Sequence, residues 1–209
     1  MDLIEYSIYK RFSYPKVKGL LDILIATDSS RSDNYSDYSV IKRDKIIFQI
    51  LYSYGLRPSE ALSLSIFDLN FYNTENGNNS FGSIFISAGN KRLVYAIFPE
   101  VTIEIKNYLN LHNLRNKVPT SIFFETATGN KLTIPYLTSR LKYYNTKLPC
   151  SMQIDSLYTF REYYIADLLR IKGVSQSFIN NQIGNNILSN QVYFHLQPDK
   201  SRMELPNEF

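Results

Sequence analysis

The sequence predicts one mixed α/β domain, mainly α-helical, with a small antiparallel β-sheet or hairpin. Three observations predict it. Several segments place apolar residues at helical spacing and stop at a glycine. Two β-rich runs, Ser83–Ala88 and Arg92–Phe98, flank a Gly89-Asn90 pair that fits a two-residue hairpin turn. The chain has 209 residues, 44% of them hydrophobic and 20% charged, which is enough to bury one core but short for two full domains.

Residues 1–39 read as a lead-in segment and a polar loop. Within them Lys16–Ala26 forms a short helix, and Asp28–Ser39 (DSSRSDNYSDYS) is rich in turn formers. Val40–Gly55 sets Ile47, Ile50, Leu51 and Tyr54 on one helical face, with Lys42, Arg43 and Asp44 expected on the wet side. Pro58 opens a second helix, because its missing N–H costs nothing at a first helical position. NTENGNN breaks Phe71–Phe81 as a turn. In the two-residue hairpin, Ala88 and Lys91 face each other across the tip. Helices follow at Pro99–Leu111 and Pro135–Lys147, with a short strand at Ser121–Glu125 between them. Thr159–Lys172 and Ser175–Ile183 are helices stopped by Gly173 and Gly184. Residues 197–209 are a tail without a clear apolar helical pattern.

Cys150 is the single cysteine, which excludes an intramolecular disulfide and a cysteine-cluster metal site. The histidines, His112 and His195, do not form a metal-spacing pair. No metal or cofactor is expected. A net charge of +4 and a pI near 9.0 are compatible with a polyanionic partner. No apolar run approaches the ~18 residues that span a bilayer. The first twenty residues lack the pattern of a secretory signal. The expected setting is therefore inside the cell, and composition fits a phage, plasmid, bacterial or organelle (plastid-type) genome.

Three stretches carry chemistry. In LYSYGLRPSEALSL, Arg57 follows a helix-ending Gly-Leu and has Glu60 three residues on. A surface arginine capped by Glu60 and an anion-binding arginine both fit that spacing. In SLYTFREYYIADLLRIKG, Arg161 begins an apolar helix, where the macrodipole disfavours a cation unless an anionic group answers it. In IGNNILSNQVYFH, Tyr193 lies in a short polar segment, either as a half-buried aromatic or as a reactive phenol.

Taken in order, these stretches resemble the tyrosine recombinases, the phage lambda integrase and Xer-type family. YGLRPSEALSL resembles the family's first-arginine box, and SIFISAGNKRLVYAIFP its lysine-bearing hairpin. SIFFETATGNKLTIPYLTSRLKYY is similar to its middle strand, loop and helix. YTFREYYIADLL resembles the second-arginine box, and IGNNILSNQVYFH the box that ends in the nucleophile. The likeness runs from about Lys16 to Leu196 and implies the tyrosine recombinase catalytic-domain fold.

The resemblance implies roles. Arg57 and Arg161 clamp the scissile phosphate, Glu60 supports Arg57, and Tyr193 attacks to give a 3′-phosphotyrosyl link and a free 5′ hydroxyl. The residue types suit that task. Guanidiniums are planar and permanently charged, matching the non-bridging oxygens of a pentacoordinate phosphorus. A phenol with pKa ~10 gains nucleophilicity beside cations. The covalent link conserves the phosphodiester energy, so the implied reaction uses neither ATP nor metal.

This sequence departs from the family at four places. Tyr158 stands where the histidine before the second arginine is usual, and can donate one hydrogen bond but shuttles protons poorly near neutrality. Asn185 replaces the histidine or tryptophan after the glycine. Ala88 occupies the usual lysine position. Lys91 is the expected replacement as general acid to the leaving 5′ oxygen, with Arg92 as the alternative. The spacing from Gly184 to Tyr193 is one residue shorter than usual. The expected organisation is the catalytic domain alone, without the family's N-terminal core-binding domain.

The expectation is thus a site-specific DNA recombinase or integrase acting on duplex DNA. It would assemble as a homotetramer across two sites, with its tail docked on a neighbour and an accessory DNA-binding protein to help a half-clamp hold on. A catalytically decayed DNA-binding protein and a type IB topoisomerase-like relaxing enzyme remain the alternatives.

Overall fold

The computed structural model describes residues 15–29, 35–71, 82–98, 101–111, 122–126, 128–171 and 174–184. Helix α1 (Pro15–Ser29) leads into α2 (Tyr35–Ser53) and the one-turn α3 (Pro58–Ala61). Three antiparallel strands follow in the order β1 (Leu69–Phe71), β2 (Gly82–Ile86) and β3 (Arg92–Tyr95). Then come α4 (Val101–Leu111), α5 (Ile134–Asn145), α6 (Thr159–Arg170) and α7 (Gln176–Ile183). The expected architecture, mainly helical with a small antiparallel sheet, is what the described residues form.

Helix α2 is the axis. Every residue from Arg43 to Leu56 is buried, because α1, α4 and α6 pack around it. Phe48 stacks on Phe160 of α6 at 5.5 Å and meets Tyr144 of α5 edge-on at 6.1 Å. The Tyr52 hydroxyl donates to Asp167 at 2.6 Å, tying α2 to α6 through a buried charge-assisted bond. A smaller cluster of Tyr164, Ile165, Leu168, Ile179 and Ile183 joins α6 to α7.

Several sequence expectations are corrected. Arg43 and Asp44 do not lie on a wet face, for α2 has none over that stretch. Asp44 is fully buried and accepts from Arg43 at 2.8 Å, from Arg140 Nε at 2.6 Å and from the Tyr144 hydroxyl at 2.9 Å. Arg43 also donates to the Glu125 carbonyl and the Tyr136 hydroxyl. The helical pattern was read as amphipathic because charge ordinarily marks solvent; here the charges answer one another. The polar run Asp28–Ser39 is not all loop, since α1 reaches Ser29 and α2 begins at Tyr35.

The hairpin differs too. Its register pairs Ile86 with Arg92, which leaves Ser87–Lys91 as a five-residue connection and puts Lys91 in line with Ser87 rather than Ala88. Gly89, with φ of 73°, sits at its centre. Ser121–Glu125 contributes two isolated bridges, Ser65 with Ile122 and Glu125 with Lys131, rather than a strand. Strand β1 went unpredicted because a three-residue strand shows no periodicity. The NTENGNN turn, His112, Gly173, Asn185, Tyr193, His195 and the 197–209 tail lie outside the described residues.

The Asp44 cluster makes a test. Asp44→Ala leaves Arg43 and Arg140 without their shared carboxylate and should cost about 3–5 kcal/mol, the range for breaking a buried ion pair. Asp44→Asn, which still accepts from Tyr144, should cost less. Urea unfolding of the two variants measures the order.

Candidate active site

The site begins where α2 ends. Gly55 adopts φ of 60°, which turns the chain sharply and lets its backbone lie against the Tyr164 ring. A Cβ there would come within 2.1 Å of that ring. The Ser53 carbonyl, at the same helix end, accepts from the Ile97 N–H at 2.8 Å, which anchors the exit of β3. Leu56 is buried, and Arg57 emerges in extended conformation just before Pro58 starts α3. This local order is what the sequence implied: glycine for the turn, proline for the helix start.

Glu60 is the hub. One of its oxygens accepts from the Arg57 main-chain N–H at 2.8 Å, and the other from Arg57 Nη1 at 3.0 Å. From the opposite side, Arg92 of β3 donates through Nη1 at 2.9 Å and Nη2 at 3.0 Å, one bond to each oxygen. Burial works to raise the Glu60 pKa. The hydrogen bonds from Arg92 and from the Arg57 backbone, and the two positive charges, outweigh it and hold the carboxyl below its ordinary range.

Arg92 continues the network. Its Nε donates to the Gln182 carbonyl at 3.0 Å. The Gly184 backbone lies so close that an added Cβ would sit 2.7 Å from Nη1. Gly184 has φ of 62° and ends α7, as the sequence predicted. The amide of Gln182 accepts from the Tyr95 N–H at 2.8 Å and donates to the Leu93 carbonyl at 3.2 Å. It thereby occupies the outer edge of β3 as another strand would. Asn90 in the hairpin connection donates to the Gly184 carbonyl at 3.0 Å.

Arg161 enters from α6. It is buried, and its guanidinium donates to the Gly55 carbonyl at 2.5 Å and to the Ile183 carbonyl. The first acceptor lies just past the end of α2 and the second is the last residue of α7, so two negative helix ends face this cation. Those carbonyls supply partners for an arginine whose place at a helix start the sequence left to be answered by a group such as an anionic ligand. Arg57 and Glu60 thus bond each other, and Arg161 joins them indirectly, through the Gly55 carbonyl and through the end of α7 that Arg92 also holds.

Other expected residues stand elsewhere. Lys91 is exposed in the hairpin connection, outside this bonded cluster. Its neighbour Arg92 is the one drawn inward. Tyr158 is half exposed as the N-cap of α6, three residues before Arg161. Asn185 and Tyr193 are not among the described residues. Sequence reasoning missed Arg92 as the partner of Glu60, although strand alternation aligns it with inward Val94 and so flags a charge on an apolar face. Gln182 carried no sequence signal; only the packing of α7 against β3 reveals it.

No family profile matches the chain. Among curated relatives, tyrosine recombinase XerD of Staphylococcus haemolyticus is 23% identical over 196 residues, covering 92% of this chain and 61% of that protein. XerC of Proteus mirabilis is 22% identical, covering 74% and 48%. Among solved structures, the XerH site-specific recombinase bound to palindromic difH substrate in a post-cleavage complex superposes with a TM-score of 0.64 and 21% identity, covering 90% of this chain and 49% of that one. XerA recombinase gives 0.64 and 18%, covering 91% and 59%. The fold is that of a tyrosine recombinase catalytic domain. The chain spans about half to three-fifths of the length of these recombinases. As for membranes, no helix among the described residues is long and apolar enough to cross one.

Two outcomes follow from this cluster. Gly55→Ala should destabilise the fold by about 2–4 kcal/mol, combining a left-handed backbone cost with overpacking against Tyr164; thermal unfolding measures it. Glu60 has a lowered folded pKa, so its stabilisation is complete above the ordinary carboxylate pKa of about 4.3 and is lost as pH falls through the lower folded value. Glu60→Gln should flatten that acid limb in melting temperature against pH, and an unchanged limb would contradict it.

Proposed function

We propose that this chain is a site-specific recombinase that cuts and rejoins duplex DNA through Tyr193. The supporting observation is one continuous network, in which Arg57 bonds Glu60 and Arg161 bonds the Gly55 carbonyl two residues before Arg57, within a tyrosine recombinase catalytic-domain fold. Two guanidiniums tied to the same end of α2 suit a phosphodiester whose negative charge grows during attack. A relative named a tyrosine recombinase, and a similar structure of a site-specific recombinase bound to its palindromic difH substrate, support the same reading.

In this mechanism the phenol oxygen of Tyr193 attacks the phosphorus as its proton departs. The bond to the 5′ oxygen breaks, and that oxygen takes a proton from Lys91. A 3′-phosphotyrosyl link and a 5′ hydroxyl result. Attack by a 5′ hydroxyl, with the protons returned, releases Tyr193 and reseals the strand. Arg57 and Arg161 hold the non-bridging oxygens, while Tyr158 and Asn185 donate hydrogen bonds to them. Four protomers gathered on two sites would exchange strands.

A second reading has one observation in its favour. Lys91 is exposed outside the bonded cluster and Arg92 is fully engaged, which fits a protein that grips DNA without cutting it.

A pool of nicked duplexes with randomised arms separates the two, because cleavage beside a nick traps the covalent adduct. The wild-type chain should yield a DNA-linked species by denaturing gel, absent in Tyr193→Phe. Arg57→Ala and Arg161→Ala should each slow its formation by about 10²–10³-fold. DNA binding with no adduct from any sequence in the pool would establish the second reading instead.

A further inference from the structure

The donors around Glu60 fill it. A carboxylate offers about four acceptor positions, two on each oxygen. One oxygen takes Arg57 Nη1 and Arg92 Nη1, and the other takes the Arg57 N–H and Arg92 Nη2. Arg92 therefore holds one position on each oxygen, and the Arg57 guanidinium makes a single bond to Glu60.

The two arginines differ in setting. The Arg92 side chain is 2% exposed, while that of Arg57 is 35% exposed. Arg92 has further bonds to the Gln182 and Asn90 carbonyls, and the Gly184 backbone closes over its guanidinium. All three nitrogens of the Arg92 guanidinium bond protein acceptors, and a guanidinium is a poor proton donor near neutrality. Its chemistry is that of a fixed counter-ion.

We propose that Arg92 is a positioning residue: by occupying one site on each Glu60 oxygen it keeps that carboxylate from engaging Arg57 as a bidentate pair, so that Arg57 is aimed at a DNA phosphate rather than consumed by Glu60. The inference rests on the reading of Arg57 as a phosphate ligand. Removal of Arg92 leaves a buried carboxylate with Arg57 as its facing cation. The fork–fork geometry that arginine and carboxylate favour would then turn Arg57 inward. The same guanidinium joins β3 to the end of α7, so the orientation of Arg57 is set by two elements distant from it in sequence.

The test is the salt dependence of binding to a short mixed-sequence duplex, with melting temperature recorded for every variant. Loss of one phosphate contact lowers the log–log salt slope by about one. Arg57→Ala should show that loss, and Arg92→Gln should show the same loss although Arg57 is still present. Arg92→Gln should add nothing in the Arg57→Ala background, which separates action through Arg57 from general damage. Glu60→Gln combined with Arg92→Gln should restore the wild-type slope, because the carboxylate that captures Arg57 is gone. Should Arg92→Gln not fold, that double variant and Arg92→Lys carry the test; the lysine variant should lose part of the slope in the wild-type background and none in Arg57→Ala. A wild-type slope in Arg92→Gln, or an equal loss with and without Arg57, overturns the inference alone. A wild-type slope in Arg57→Ala overturns the phosphate reading and the inference with it.

Discussion

A carboxylate as deeply set as Glu60 is tolerated only when donors answer its charge, since desolvation alone would favour the neutral acid. The answer here comes from three separated parts of the chain: the extended residue before α3, strand β3, and, through Arg92, the end of α7. Each of these elements is too short to be stable alone. Helix α3 has four residues and β3 has four, so neither supplies enough internal hydrogen bonding to hold its place. Their shared charge network and the core beneath them fix them instead.

The second constraint is geometric. Arg161 bonds carbonyls that follow α2 and end α7, and it starts from the first turn of α6. Three helix ends therefore meet at one guanidinium. The unfavourable position of a cation at its own helix N-terminus is offset by two carbonyl ends directed at it. The sharp turn at Gly55 makes this possible, because it presents its carbonyl to Arg161 while its missing side chain admits the Tyr164 ring. Burial raises the pKa of Tyr164, whose ring packs beside the charged cluster while its hydroxyl donates toward the Tyr95 carbonyl at 3.4 Å.

What could be read from the sequence divides along the same physical line. Helix stops at Gly55 and Gly184 and the start at Pro58 were legible, because left-handed turns and first-turn prolines are local properties. The pairing of Arg57 with Glu60, three residues apart, was also legible, whereas the roles of Arg57, Glu60 and Arg161 came from the resemblance. Arg43 and Asp44 were misread, because their burial depends on Arg140 and Tyr144, nearly a hundred residues away. The hairpin register was misread for a related reason. The Gly89-Asn90 pair permits a tight turn, but Arg92 must face Glu60, and Asn90 must reach the Gly184 carbonyl. Those long-range bonds favour the five-residue connection over the turn that local chemistry allowed.

The departures from the recombinase pattern follow a rule of their own. By the resemblance, Tyr158, Asn185 and Ala88 stand where the family carries groups that move or donate protons, whereas Arg57, Arg161 and Glu60, to which it gives fixed charges, are retained. Electrostatic stabilisation is commonly the larger contribution to such a reaction, and general acid–base catalysis adds roughly 10²–10⁴-fold. Under the proposed function, a chain that keeps the fixed charges and alters the proton carriers would still bind and polarise a phosphate while changing how quickly the leaving oxygen is protonated. Burial enforces this division: Glu60, Arg92 and Arg161 are locked into the fold and cannot change without structural cost, whereas Lys91 and Tyr158 lie on its surface, where substitution leaves the core intact.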